Sequence, residues 1–124
     1  MNNPQYMSGT GNNFLVSEYE NSKTDIEIIS IVADSLFDID GVIYVEKIDS
    51  LTVKMHYYNN DGSTAELCVN GIRCVAKYAL DNSIVDSNKV SVVAPIGNIK
   101  TIIKENKVTL EISIPSYEEN KLLI

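Results

Sequence analysis

The run Asn59-Asn60-Asp61-Gly62-Ser63-Thr64-Ala65-Glu66-Leu67-Cys68-Val69-Asn70-Gly71-Ile72-Arg73-Cys74 holds the residue types and spacing that could do chemistry. It takes the chain through a turn and sets a thiol, Cys68, at the first turn of an apolar helix. Free N–H groups at a helix start carry a partial positive charge. That charge lowers the pKa of a cysteine placed there and favours the thiolate, its reactive form. The same N–H groups hold carboxylates. Gripping an amino acid's carboxylate while presenting a thiolate to its Cα–H is what proton abstraction without a cofactor requires. A bland reading stands beside this one. A single cysteine before an apolar helix also serves as a small buried hydrophobe, and Asn-Asn-Asp-Gly as a plain turn.

The elements around this run read mainly as strands. Phe14-Leu15-Val16 follows the turn signal Gly9-Thr10-Gly11-Asn12 and reads as a strand. Segment 24–35 has an N-cap candidate in Thr24 or Asp25 and apolar Ile26, Ile29, Val32 and Ala33 at helical spacing, with strand a competitor because of its isoleucines. Segments 41–45 and 51–58 read as strands joined by Lys47-Ile48-Asp49-Ser50. From Cys68 to Leu80 the pattern becomes helical, with Val69, Ile72, Val75, Ala76, Ala79 and Leu80 on one broad face, ending at Asp81-Asn82-Ser83. Strands 90–94 and 98–104 flank the Pro95-Ile96-Gly97 break. After the Glu105-Asn106 turn, Val108, Leu110, Ile112 and Ile114 alternate with polar residues up to Pro115. The expected architecture is α+β: an antiparallel or mixed sheet wrapped around one central helix. Residues 1–115 form the domain and 116–124 a polar tail or linker.

The 124 residues are 44% hydrophobic, enough for one core, and carry a net charge of -7. No basic face is visible along the chain, which argues against a nucleic-acid partner. No apolar run is long enough to span a bilayer and the N-terminus does not read as a signal peptide, so a cytoplasmic protein is expected. If Cys68 and Cys74 share a helix, six residues separate them by roughly 9 Å of rise, more than the ~7 Å a disulfide spans. They read as two free thiols. His56 has no partners at metal-ligand spacing, and no Gly-rich nucleotide loop is present, so neither metal nor cofactor is expected. Tyr57 and Tyr58 read as packing residues at a strand end.

Residues 59–74 resemble the diaminopimelate epimerase signature, Asn-x-Asp-Gly-Ser leading into Cys-Gly-Asn-Gly-x-Arg-Cys. Met7-Ser8-Gly9-Thr10-Gly11-Asn12-Asn13-Phe14 is similar to that family's N-terminal strand entry, and Asp40-Gly41-Val42 to a third short motif. The likeness covers nearly all of this chain but about the first half of the family's usual length. It implies two similar α+β domains facing one cleft, each supplying a cysteine to opposite faces of the substrate's α-carbon, with no cofactor. On that resemblance Cys68 is one acid/base, the backbone of Val69 and Asn70 holds the α-carboxylate, and Asn12 and Asn59 contact the amino-acid substrate. Cys74 is left to core packing, and Arg73 to an ion pair or a strand-end cap.

Three local departures stand out. Val69 replaces the glycine after the cysteine, Leu36-Phe37-Asp38-Ile39 replaces a Gly-x-Gly before Asp40, and Asn13 replaces an aspartate. A second cysteine-bearing half is absent from the sequence. The chain therefore reads as the N-terminal half of an epimerase, inactive alone; as one subunit of a split enzyme; or as a non-catalytic binding or assembly relative. Another isomerase of the same fold, such as a proline racemase-like enzyme, is a further alternative. Partners implied are a small amino-acid substrate and a second domain or chain carrying the opposing cysteine. The face left bare by that partner would favour self-association.

Overall fold

The computed structural model describes residues 1–9, 11–64 and 69–111. Strands β1 (Asn2–Gly9), β2 (Asn12–Glu18), β3 (Gly41–Lys47), β4 (Thr52–Asn59), β5 (Lys89–Ala94), β6 (Gly97–Lys104) and β7 (Lys107–Glu111) form one sheet in chain order. Two pairs are parallel, β2/β3 and β4/β5, and the other four are antiparallel. A parallel pair needs a crossover. Helix α1 (Asp25–Asp34) supplies the first and α2 (Val69–Asp81) the second. The mixed α+β architecture expected from the sequence is present. Residues 112–124, with Ile112, Ile114 and the linker assigned to 116–124, lie outside the described residues.

The alternation of each strand divides its side chains between two cores. Phe14, Val16, Ile43, Val45, Val53 and Met55 face α2, whose Ile72, Val75, Tyr78 and Ala79 fill the larger one. Each fully buried side chain of this size contributes about 1.5–3 kcal/mol. Leu15, Val42, Tyr44 and Tyr58 face the other way and pack with Ile28 of α1. Helix α2 touches all seven strands, so the sheet curls around it. Its buried surface is consequently wider than the apolar stripe in the sequence: Gly71, Cys74 and Tyr78 are also buried. Tyr78 reaches through the core to donate its hydroxyl to Asn3 O at 2.6 Å.

Helix α1 begins as expected, with Thr24 in an extended cap conformation accepting the Glu27 N–H at 3.2 Å. Its buried face differs from the expected stripe. Ile28 is buried, with Ile31 and Val32 beside it, while Ile26 is 75% and Ile29 48% exposed. Isoleucines fall on both sides of this helix, so spacing alone offers two stripes. The choice is made by the turn after β4. A Cβ at Gly62 would lie 2.5 Å from Asp25 Cα, so the first turn of α1 is pressed against that loop and Ile28 points into the core.

The lysines are unevenly placed over the sheet. Over β5–β7 the side chains toward α2 are the more buried, and the alternate positions point outward, as does Lys54 in β4. Lys54, Lys89, Lys100, Lys104 and Lys107, half of the chain's 10 basic residues, stand exposed on that outer face. They share that face with exposed Glu111, which pairs with Lys100, and strand alternation disperses them along the sequence. Among the described residues no helix is long and apolar enough to cross a membrane.

Candidate active site

Strand register brings the polar residues of the two informative motifs to one end of the sheet. Phe14 pairs with Gly41, and Gly41 with Asn59. The start of β2, the start of β3 and the end of β4 therefore lie side by side. Neighbouring strands are about 4.8 Å apart, so Asn12, Asp40 and Asn59 stand within a few strand spacings of one another. The start of α2 meets them there. Asn70 Nδ2 donates to Asn12 Oδ1 at 2.8 Å, joining residues 58 apart in sequence. Strand β1 closes on the same point, since a Cβ at Gly9 would lie 2.8 Å from Asn70 Cβ. Only glycine allows that approach.

Asn59 is held differently. Its backbone N–H donates to Ser63 O at 2.7 Å and its Nδ2 to Ser63 Oγ at 3.0 Å. No hydrogen bond joins it to Asn12 or Asn70 among the described residues. The turn is tightened by Asp61, whose Oδ1 accepts from Ser63 Oγ at 2.6 Å and Ser63 N–H at 2.9 Å. These two bonds from Ser63 hold the Asp61 carboxyl below its ordinary range. Gly62, at φ +89°, turns the chain where a side chain would be strained.

Val69 is the first residue of α2 and is half-buried. Cys68 lies outside the described residues, and its assigned role rests on its sequence position before Val69. Cys74 is 5% exposed in the helix core, as its packing role requires. Arg73 departs from expectation: it is exposed and forms no ion pair among the described residues. It lines a cavity of about 590 Å³ that runs along α2 from Asn70 to Lys77, between β1 and the β6–β7 turn. Tyr57 and Tyr58 pack as expected, Tyr57 edge-on to Phe14 and Tyr58 accepting the Lys23 N–H at 3.2 Å. His56 bonds Glu46 at 2.8 Å and stacks on Tyr19. Among the described residues no three metal-ligating side chains cluster.

Sequence reasoning passed over the hub at Asp40. Its Oδ2 accepts the Asn13 N–H at 2.8 Å, and its own N–H donates to Asn13 O at 2.8 Å. Asp40-Gly41 was recognisable as a short motif, but nothing local to it says that it ties to Asn13, 27 residues earlier.

The family model described as Diaminopimelate epimerase matches residues 5–116. A diaminopimelate epimerase of Agathobacter rectalis is 41% identical over 109 residues, covering 83% of this chain and 38% of that protein. One from Bacillus thuringiensis is 34% identical over 112 residues, covering 84% of this chain and 39% of its own length. The chain thus spans about two fifths of these relatives. Among solved structures, a phenazine biosynthesis protein of the PhzF family from Enterococcus faecalis superposes with TM-score 0.64 at 14% identity, over 87% of this chain and 44% of that one. A Bacillus anthracis protein of that family gives TM-score 0.60 at 13% identity, over 86% and 37%. At such identity the likeness is one of fold.

Proposed function

The chain belongs to the diaminopimelate epimerase family, and from that premise we propose that it supplies one half of a cofactor-independent amino-acid epimerase site. The observation that carries the reading is the 2.8 Å bond from Asn70 to Asn12 in the first turn of α2. It fixes two neutral amides at the helix start that immediately follows Cys68 in sequence. The helix start attracts the substrate's α-carboxylate to the N–H groups of Val69 and Asn70. Asn12 and Asn59 contribute amide contacts to the amino-acid substrate. The Cys68 thiolate takes the Cα proton from one face, and a thiol on the opposite face returns a proton to the carbanion. The substrate is LL-diaminopimelate and the product the meso isomer, a step toward lysine.

Inversion requires two acid/base groups on opposite faces of one carbon. Cys74 cannot be the second, because it is buried within the same helix. The opposing cysteine comes from outside these 124 residues. The experiment is incubation of the pure chain with LL-diaminopimelate in deuterated water, alone and with a family domain carrying the second cysteine. Stereochemistry and deuterium uptake at Cα are followed. Meso product is expected only from the mixture, and its loss in Cys68→Ala. Meso product from the chain alone, surviving Cys68→Ala, sinks the proposal.

A further inference from the structure

We propose that Asp40 is a positioning residue for this site: its carboxylate holds the Asn12–Asn13 peptide so that Asn12 meets Asn70. The role rests on the reading that Asn12 and Asn70 bind substrate, but the geometry behind it stands by itself. The Asn13 N–H belongs to the peptide plane that follows Asn12, and a peptide plane is rigid. Anchoring that N–H on Asp40 Oδ2 at 2.8 Å therefore fixes the ψ angle of Asn12 and the direction in which its side chain leaves the strand. The anchor is itself braced. The Asp40 N–H returns to Asn13 O at 2.8 Å, Asn13 Nδ2 reaches Asp38 O at 3.5 Å, and Ser8 Oγ donates to Asn13 Oδ1 at 2.7 Å.

The same segment grips the turn that leads toward α2. The Asn60 N–H donates to Asp40 O at 3.1 Å and Asn60 Nδ2 to Ile39 O at 3.3 Å. Residues 39 and 40 thus tie the entry of β2 to the turn after β4. These are the two places from which Asn12 and Asn59 project. Asp40 forms no ion pair among the described residues, so its carboxylate acts here as an acceptor for a backbone N–H. An acceptor can be replaced by a neutral amide oxygen at the same distance from Cα. A shorter or longer side chain cannot replace it.

Hydrogen exchange of the Asn70 side-chain amide, followed by NMR on the isotopically labelled chain, tests this without any turnover. The amide of Asn82, bonded to Tyr78 O at 2.9 Å near the C-terminus of α2, is the internal control. Asp40→Ala and Asp40→Glu are each expected to speed Asn70 amide exchange on the order of tenfold, as loss of a charge-assisted hydrogen bond predicts. Asp40→Asn should leave it close to the original rate. Asn82 should not change in any variant. Unchanged Asn70 exchange in both Asp40→Ala and Asp40→Glu overturns the proposal, as does an equal acceleration at Asn82, which would mean general loosening. Failure of the epimerase reading is seen separately, as no Cys68-dependent deuterium uptake in the unaltered chain mixed with a second domain.

Discussion

Two tyrosines of α2 and β3 make opposite use of a buried hydroxyl. Tyr44 is fully buried and its hydroxyl has no hydrogen-bond partner among the described residues, whereas Tyr78 donates to Asn3 O. Removing an unsatisfied buried hydroxyl relieves a desolvation cost, while removing a satisfied one leaves its acceptor orphaned. Tyr44→Phe is therefore expected to be neutral or stabilising by up to about 1 kcal/mol, and Tyr78→Phe to destabilise by about 1 kcal/mol. Urea midpoints of the two variants decide it. Both hydroxyls are pushed up to about 12, by burial first and then by the charge of Glu20 for Tyr44 and Glu18 for Tyr78. Above the ordinary tyrosine value near 10 the unfolded chain releases these protons and the folded chain keeps them, so stability falls with rising pH. The urea midpoint should hold up to about pH 10 and drop between there and pH 12. Tyr44→Phe should flatten part of that drop. For the thiols, iodoacetamide with peptide mapping should label Cys68 before Cys74, since Cys74 is buried. Preferential labelling of Cys74 at neutral pH sinks the assignment.

At the scale of elements, α1 is fixed at its start by a cap and by a close backbone contact, and these differ in cost. Thr24→Ala removes only the cap to Glu27 and is expected to cost about 1 kcal/mol. Gly62→Ala places a methyl 2.5 Å from Asp25 Cα at φ +89°. It is expected to cost more, about 2–3 kcal/mol or above, since strain at positive φ adds to the clash. Thermal melts of the two variants should rank in that order, and the reverse order would mean that α1 does not rest on this turn. The register of β2, β3 and β4 also sets which residues can share a site. A slip of one residue in β2 would turn Asn12 away from α2 and Phe14 out of the core.

The whole molecule presents unlike faces. Apart from the lysine-bearing outer side of β4–β7, the segment after α1 exposes Leu36 at 83% and Phe37 at 62%, with Phe37 edge-on to Tyr6 at 5.0 Å. The backbone of this segment is tied to β1, because the Leu36 N–H donates to the phenolic oxygen Oη of Tyr6 at 3.0 Å. Adjoining apolar side chains of this size favour association. The purified chain is expected to self-associate at high concentration, and Leu36→Ser with Phe37→Ser to weaken it. Sedimentation velocity across a concentration series measures both. A monomer at all concentrations would show that this patch is too small to drive assembly.

Much of this protein was legible in its residues. The turn chemistry of Asn59-Asn60-Asp61-Gly62, a cap at Thr24 or Asp25, the alternation of Val108 and Leu110 and the apolar run of α2 are local signals, and each became the element expected, with Thr24 as the cap. The central signature likewise carried the family. What local signals could not carry was which of two isoleucine stripes α1 buries, because both satisfy helical spacing and only the contact of Gly62 with Asp25 separates them. They could not collect five lysines onto one face, because strand alternation spreads them from Lys54 to Lys107. Nor could they pair Asn70 with Asn12 or Asp40 with Asn13, since a hydrogen bond across 58 or 27 residues exists only once the strands lie in register. The sequence determined most of the elements, though not β1, whose mainly exposed run Asn2–Gly9 carries no apolar alternation, and it marked residues whose types suit the proposed chemistry. The curling of the sheet around α2 decided which of those residues meet, because only that closure brings the start of β2, the turn after β4 and the first turn of the helix to one place.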